Sequence, residues 1–403
     1  AMPRLRILAT ATTFPRWKGD SSSSFVFDLE NRLGKMHDIT VLAPHHPGAK
    51  KNERMGALEV RRFAYFKPES LEKLCYGGGI IPNMGKSMLA RLQLPLLVLA
   101  EFFSASGLIR EKDAQIIHAH WMLPQGMVGA LLKGFTKKPL IITIHGSDLF
   151  PIQNVFLKKL QGFAACKADI ITVNSEATGN ELLRRFPHVR EKVRIIPMGV
   201  DTSFFRPRRS RKPKSLRGKK IIIFVGRLSD QKGVQYLVEA MPSILSREKD
   251  ALLFIIGEGP HRKELEALAG SYGMGHAVRF LGGLPQEKVA MYHGMCDVFV
   301  LPALANRTGT EALGLALLEA MASGCAVVGT DVGGIPSAVS HGKTGILVRQ
   351  KNADDLAASI TALLKNRKKA SALGRRASSF ISRNYSWEQI AKKFDRAYRD
   401  VAS

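Results

Sequence analysis

The chain of 403 residues lacks several things. It has no unbroken apolar run of 18 residues, so no membrane-spanning helix is expected. The longest candidate, 92–100, is short and contains Pro95. Its 4 cysteines (Cys75, Cys166, Cys296, Cys325) lie far apart with no C-x-x-C. That spacing excludes a disulfide frame or a zinc ribbon and predicts reduced core residues of a cytosolic protein. No signal-peptide pattern opens the chain, and Ala1-Met2 reads as a remnant ahead of a native Met. The 36 glycines follow no triplet repeat, which excludes collagen. With 45% hydrophobic and 23% charged residues, a mostly disordered chain is excluded too.

Acidic residues are also scarce. The 34 Asp and Glu face 60 Lys and Arg, a formal net charge of +26. A basic surface implies an anionic partner: nucleic acid, a membrane surface or a phosphorylated small molecule. The local peak is residues 206–220, with 9 basic residues, Pro207, Pro213 and no acid. It reads as an exposed linker.

On both sides of that run, short β-branched stretches alternate with helical patterns. Strands are predicted at 5–9, 39–43, 58–62, 116–118, 140–144, 170–173 and 193–196. After the run they are predicted at 221–225, 252–256, 278–281, 298–301, 326–328 and 346–348. Helices are predicted at 234–245, 262–268 and 315–322. Several strands are apolar on both faces, as parallel strands covered by helices must be. The pattern predicts an α/β protein with two doubly wound domains and ligands at a cleft between them. The expected division is 1–200, a linker 201–219, a second domain 220–385 and a C-terminal helix 386–403 packing back on the first domain.

Four segments of the second block carry chemistry. Strand 221–225 runs into Gly226-Arg227-Leu228-Ser229-Asp230-Gln231-Lys232-Gly233 and then a helix. Arg227 and Lys232 beside a helix start suit phosphate oxygens; a solvated loop with two cations fits equally. Ile256-Gly257-Glu258-Gly259-Pro260 lets a flat group approach the backbone, or is simply a tight turn. In Gly309-Thr310-Glu311-Ala312-Leu313-Gly314-Leu315-Ala316-Leu317-Leu318-Glu319, two carboxylates stand eight residues apart. On a continuous helix they would lie roughly 12 Å and about 80° apart and could border one nucleotide sugar. Glu311 would then take sugar hydroxyls, Glu319 the ribose, and the N–H groups of Leu313, Gly314 and Leu315 the diphosphate. An amphipathic helix with two exposed glutamates is the plainer reading. Asp331-Val332-Gly333-Gly334-Ile335-Pro336 is a further loop and helix start.

Together these segments resemble the donor half of retaining glycosyltransferase family 4. The matching stretches are F-V-G-R-L-S-D-Q-K-G (224–233), I-I-G-E-G-P (255–260), V-R-F-L-G-G-L-P (278–285), E-A-L-G-L-A-L-L-E-A-M-A-S-G (311–324) and T-D-V-G-G-I-P (330–336). I-P-M-G-V-D (196–201) and the stretch from Tyr385 resemble the family too. The resemblance implies the GT-B arrangement of two Rossmann-like domains, with the C-terminal helix crossing back. It implies that Arg227 and Lys232 bind the donor diphosphate, that Glu311 holds the donor sugar and that Glu319 binds the ribose. Backbone around Gly257, Glu258 and Leu284 would frame the base.

Before residue 190 the resemblance is fainter. Thr13 to Asp20 follows the first strand where the family has a Gly-rich loop; this version has only Gly19, followed by Ser21 to Ser24. His145 stands where the family carries a His facing the donor sugar, with Asp148 beside it. His118-Ala119-His120 could bind metal, but no third ligand stands at convincing spacing, so no metal site is expected. No strict D-x-D occurs, and Arg227, Lys232 and helix starts would neutralise the leaving diphosphate instead.

The resemblance implies a retaining hexosyltransferase, and the missing D-x-D a metal-independent one, with no cofactor beyond its nucleotide-sugar donor. The acceptor is a saccharide or a lipid-linked molecule. An epimerase on a related fold and a basic nucleic-acid-binding protein are the alternatives. A phosphorylase would need a cofactor lysine, and no matching motif occurs. Residues 1–200 hold 28 Lys and Arg against 16 Asp and Glu. Residues 86–110 add Met88, Leu89, Leu92, Leu96, Leu97 and Leu99 near helical spacing, flanked by Lys86, Arg91 and Arg110, with Pro95 allowing a kinked or broken helix. That combination predicts salt-sensitive binding to an anionic membrane, and hence a cytoplasmic protein peripheral at the inner face of the cell membrane.

Overall fold

The computed structural model describes residues 3–402 apart from 21, 23, 209, 211, 307 and 308. Ser21, Ser23, Arg209, Arg211 and the Arg307-Thr308 pair of a sequon-like triplet therefore lie outside the described residues, as does Ala1-Met2. The chain forms two compact units: Ala1–Pro197 with Ile390–Ser403, and Met198–Gln389.

The first unit holds β1 (Arg6–Thr10), β2 (Asp38–Pro44), β3 (Asn52–Met55), β4 (Leu58–Phe63), β5 (Ile116–His120), β6 (Leu140–Ile144), β7 (Ile170–Val173) and β8 (Val193–Ile195). They make one sheet in the order β3-β4-β2-β1-β5-β6-β7-β8, parallel except for the antiparallel β3–β4 pair. β3 escapes sequence reading because Asn-Glu-Arg-Met has no apolar alternation; its pairing with β4 makes it an edge strand. β5, β6 and β7 are buried along their whole length, as expected for central parallel strands.

The second unit holds β9 (Lys220–Val225), β10 (Ala251–Ile256), β11 (Val278–Gly282), β12 (Val298–Leu301), β13 (Ala326–Thr330) and β14 (Ile346–Val348). They form an all-parallel sheet in the order β11-β10-β9-β12-β13-β14. Helix Val234–Arg247 buries Val234, Leu237, Val238, Met241 and Ile244, spaced for one helical face.

Three expectations are corrected. The basic run is folded onto the second unit: Lys212 Nζ donates to Asp297 Oδ2 at 2.8 Å, Ser210 N to Gly294 O at 3.1 Å, and Leu216 is buried. Cys166 is exposed with its sulfur 3.0 Å from His188 Nε2, whereas Cys75 and Cys325 are buried as expected. Residues 88–111 form one helix, Met88–Glu111, through Pro95; the break falls earlier, at Ser87, which caps it by accepting from Ala90 N. By length and composition alone this helix could cross a membrane, because its apolar character continues past Arg91, Gln93 and Glu101. Yet it buries Ala90, Gln93, Leu97, Glu101, Ala105, Leu108 and Ile109 in the first unit. The C-terminal helix, Trp387–Ala402, crosses back as expected. From Ile390 on it belongs to the first unit, where Tyr398 Oη lies 2.7 Å from His118 Nδ1 and Asp395 3.0 Å from His37.

Candidate active site

In an open parallel sheet, ligands bind beyond the carboxyl ends of the strands where the strand order reverses. In the second unit that point lies between β9 and β12. The loop after β9 carries Arg227 and Lys232, and the loop after β12 carries Glu311. The structure joins them: Lys232 Nζ donates to Glu311 Oε2. Arg227 is exposed, and Lys232 and Glu311 are half-buried.

Glycines draw these loops together. At Gly257 (φ +138°) a Cβ would stand 1.9 Å from Gly226 O, so the turn after β10 lies against the turn after β9. At Gly233 (φ +60°) a Cβ would meet Pro302 O at 2.0 Å, which pins the β9 loop to the end of β12. Gly334 N donates to Glu311 O at 2.8 Å, so the Asp331–Pro336 turn buttresses Glu311 from behind.

Glu311 and Glu319 do not share a helix. The helix is Leu315–Ala322, and Gly314 ahead of it takes left-handed φ +82°, ψ 59°. Glu311 lies in the preceding loop, and its Oε1 accepts from Gly314 N at 3.1 Å. The Gly314 N–H, expected to meet a diphosphate, is thus engaged by Glu311. Leu313 is buried; Leu315 and Glu319 are half-buried on the helix. Gly257 N donates to Gly282 O at 2.8 Å and Glu258 O accepts from Leu228 N at 2.9 Å, so these backbone groups brace the loops. The Glu258 side chain is exposed and paired with Arg262 at 2.6 Å; Leu284 is half-buried.

In the first unit the order reverses between β1 and β5. Thr12 after β1 and Gln125 after β5 are hydrogen-bonded there. Gly19 is exposed with φ +88°. Its loop is closed by Asp20, which takes Arg16 N at 2.9 Å and Arg16 Nε at 2.7 Å. The Arg16 hydrogen bond holds the Asp20 carboxyl well below its usual range. The Arg16 guanidinium sits 4.3 Å from the Trp17 ring centroid and 3.4 Å from His46 Nε2, and His46 packs edge-on to Tyr76.

His145 follows β6 and is buried. Its Nε2 lies 3.2 Å from His120 Nδ1; its Nδ1 is buried with no partner among the described residues. Burial, then the neighbouring histidines, push its pKa well below the ordinary value, so it is neutral at pH 7. Asp148 turns inward: its carboxylate takes Met122 N (2.7 Å), Gly146 N (3.0 Å) and His145 N (3.1 Å). Burial raises its pKa to about 6 against those bonds. It therefore shapes the His145 loop and offers no free carboxylate to a ligand.

The third partner for His118 and His120 is Glu30, from helix Ser24–Leu33. Glu30, His118 and His120 gather three potential ligand atoms within 4.8 Å. Glu30 Oε1 lies 2.8 Å from His120 Nε2 and 3.0 Å from His118 Nδ1. Sequence reading missed Glu30. The available signal was its place between Leu29 and Leu33 on the helix face that buries Val26, Leu29 and Leu33. Arg16, His46 and Tyr76 were missed because they come from three separate loops.

These paired Rossmann-like units, each with polar loops at its switch point, define a nucleotide-sugar transferase architecture of the GT-B kind. The chain belongs to glycosyltransferase family 4: the Glycosyltransferase Family 4 model matches residues 22–204 and the Glycosyl transferases group 1 model residues 205–380. It is 26% identical over 94% of its length to a GDP-mannose-dependent alpha-(1-6)-phosphatidylinositol monomannoside mannosyltransferase of Mycolicibacterium smegmatis, covering 95% of that protein. It is 30% identical to a D-inositol 3-phosphate glycosyltransferase of Corynebacterium aurimucosum, covering 73% of each chain. Sucrose-phosphate synthase of Thermosynechococcus elongatus shares the fold, with a TM-score of 0.76 at 23% identity and 99% coverage of both chains.

Proposed function

We propose that the protein moves a hexose from a nucleotide diphosphate sugar to a saccharide or lipid-linked acceptor, with retention of anomeric configuration and without a metal ion. The observation that carries this reading is the Lys232–Glu311 contact at the β9/β12 switch point, made from the loop that also carries Arg227. Arg227 and Lys232 supply positive charge for the departing diphosphate. Glu311, held by Lys232 and by Gly314 N, is oriented to accept sugar hydroxyl hydrogens. Catalysis then consists of positioning plus stabilisation of the leaving group, by front-face transfer without a covalent enzyme intermediate. The donor nucleotide is assigned to the second unit, His145 to the donor sugar as the family resemblance implies, and acceptor recognition to the first unit, where Gly19 and the Arg16 cluster stand.

Both groups of named relatives have inositol in the acceptor part of their names, so inositol-containing acceptors are tested first. GDP-mannose and UDP-sugars are supplied with phosphatidylinositol mannoside or inositol phosphate, with and without EDTA. The expected result is transfer that survives EDTA and a product whose anomeric proton coupling keeps the donor's α configuration. Loss with EDTA restored by Mg²⁺, or an inverted anomer, removes the corresponding part of the proposal. The nucleic-acid alternative gains no support, because the basic run has no aromatic residue inside it.

Membrane association is part of the same proposal. Met88 (75%), Leu92 (65%), Leu99 (54%) and Phe103 (68%) of one helix are exposed, although its other face is equally apolar. An all-round apolar helix with one open face calls for an apolar cover. Phe135 of helix Met127–Thr136, 77% exposed, extends the patch through its ring contact with Phe102. Lys86 and Arg91 flank it, as an interfacial segment requires. The protein is expected to sediment with anionic but not neutral vesicles, less as salt rises, and less after Lys86→Glu with Arg91→Glu. No binding to anionic vesicles at low salt leaves a soluble acceptor.

A further inference from the structure

Glu30, His118 and His120 join His145 in a buried polar chain in the first unit, and the transfer chemistry above gives those three no role. Glu30, His118 and His120 have no exposed surface, and His145 has 9%. A carboxylate can only accept hydrogen bonds, so the 2.8 Å contact from His120 Nε2 to Glu30 requires hydrogen on that nitrogen. The fields and hydrogen bonds of His118 and His120 offset the burial of Glu30 and hold it ionised, near 2. Burial pulls His120 down to about 4, so it is neutral and carries one hydrogen. Its Nδ1 is then bare and accepts at 3.2 Å from His145 Nε2, which must carry the hydrogen there. Neutral His145 keeps no hydrogen for Nδ1, the atom with no partner among the described residues.

We infer that Glu30 is a positioning residue: through His120 it fixes His145 in the Nε2–H tautomer, so that His145 Nδ1 stands as an acceptor for a sugar hydroxyl. A packing role alone would be met at lower cost by an apolar side chain, because Glu30 Oε2 is buried without a partner among the described residues. His118 shares the same Glu30 oxygen and is anchored on its far side by Thr143 Oγ1 at 2.7 Å, which bonds Thr172 Oγ1 at 2.7 Å. Rings Phe25 and Trp121, each with its centroid 5.0 Å from that of His145, hold the imidazole in place.

The inference rests on the sugar-transfer reading only for what meets Nδ1; the tautomer is read without nucleotide or sugar, so the two fail separately. The full chain, labelled with ¹⁵N-histidine, is examined by long-range ¹H–¹⁵N correlation at pH 7. His120 and His145 should each show a pyrrole-type Nε2 and a pyridine-type Nδ1. In Glu30→Ala, His145 Nδ1 should move toward the pyrrole-type position. If that variant melts early, His120→Phe leaves the Glu30–His118 contact and should release the same preference. A pyrrole-type Nδ1 on His145 in the unaltered protein overturns the inference, as does an unchanged spectrum in both folded variants. So does a shift of His118 and His120 to metal-bound positions on adding Zn²⁺, which would make the cluster a metal site.

Discussion

The two switch points use opposite physics. In the second unit the side chains proposed to act on the donor are long, charged and reached by solvent, and glycine turns that tolerate no Cβ position them. In the first unit, outside the Arg16 cluster, they are buried and His145 is neutral, and other side chains position them. Exposed charge can meet a phosphate by moving; a buried imidazole must already be correctly protonated when its ligand arrives. The second site is therefore defined by backbone geometry, and the first by a hydrogen-bond network.

The sharpest way to break this contrast is at Glu311. Glu311→Gln should lower turnover by at least about 100-fold, the loss of one oriented group in the transition state, with thermal unfolding little changed. A variant within threefold of the parent would remove Glu311 from the chemistry.

The glycines come next. Gly257→Ala places a methyl 1.9 Å from Gly226 O and should cost several kcal/mol, roughly the upper range for single substitutions. Gly19→Ala, also at positive φ but with nothing within 4 Å among the described residues, should cost only about 1–2 kcal/mol. Equal losses in denaturant titrations would show that the two loops are not built differently.

Arg227→Ala and Lys232→Ala should each weaken nucleoside diphosphate binding by about 1.5–3 kcal/mol while sparing the nucleoside. Calorimetry giving the same loss for both ligands would refute phosphate contact. Lys232→Ala also leaves Glu311 without its cation, so it should lower turnover more than Arg227→Ala does.

The smallest effect tests buried carboxyls in the first unit. Burial lifts Glu101 to about 8, against an ordinary 4.5, with only the Gln125 hydrogen bond opposing. The folded state thus prefers the protonated form. Its contribution is complete below about pH 4.5 and is lost as pH rises toward 8. Glu101→Gln should therefore be near neutral at pH 4 and stabilising by about 1–3 kcal/mol at pH 9. Denaturation at the two pH values checks the sign.

Much of the second unit was legible in the primary structure. Six apolar strand runs, the Arg227–Lys232 loop and the tight Gly257 turn are local patterns, and local patterns survive folding. The eight-residue spacing of Glu311 and Glu319 was legible too, but its geometry was not. The helix predicted at 315–322 is the one observed, and left-handed Gly314 starts it after Glu311, which leaves that side chain in a loop from which it reaches Lys232. Strand β3 was invisible because an edge strand with one partner needs no apolar alternation.

By itself, the sequence determined the alternation of strand and helix, the division into two Rossmann-like halves and the family, because hydrophobic period and turn residues act over neighbouring positions. Only the tertiary structure decided that Glu30 meets His118 and His120, that Asp148 faces inward and that the apolar helix Met88–Glu111 leaves one face open. Those outcomes depend on which side chains from distant segments share a dry space, and no local period in the chain encodes that.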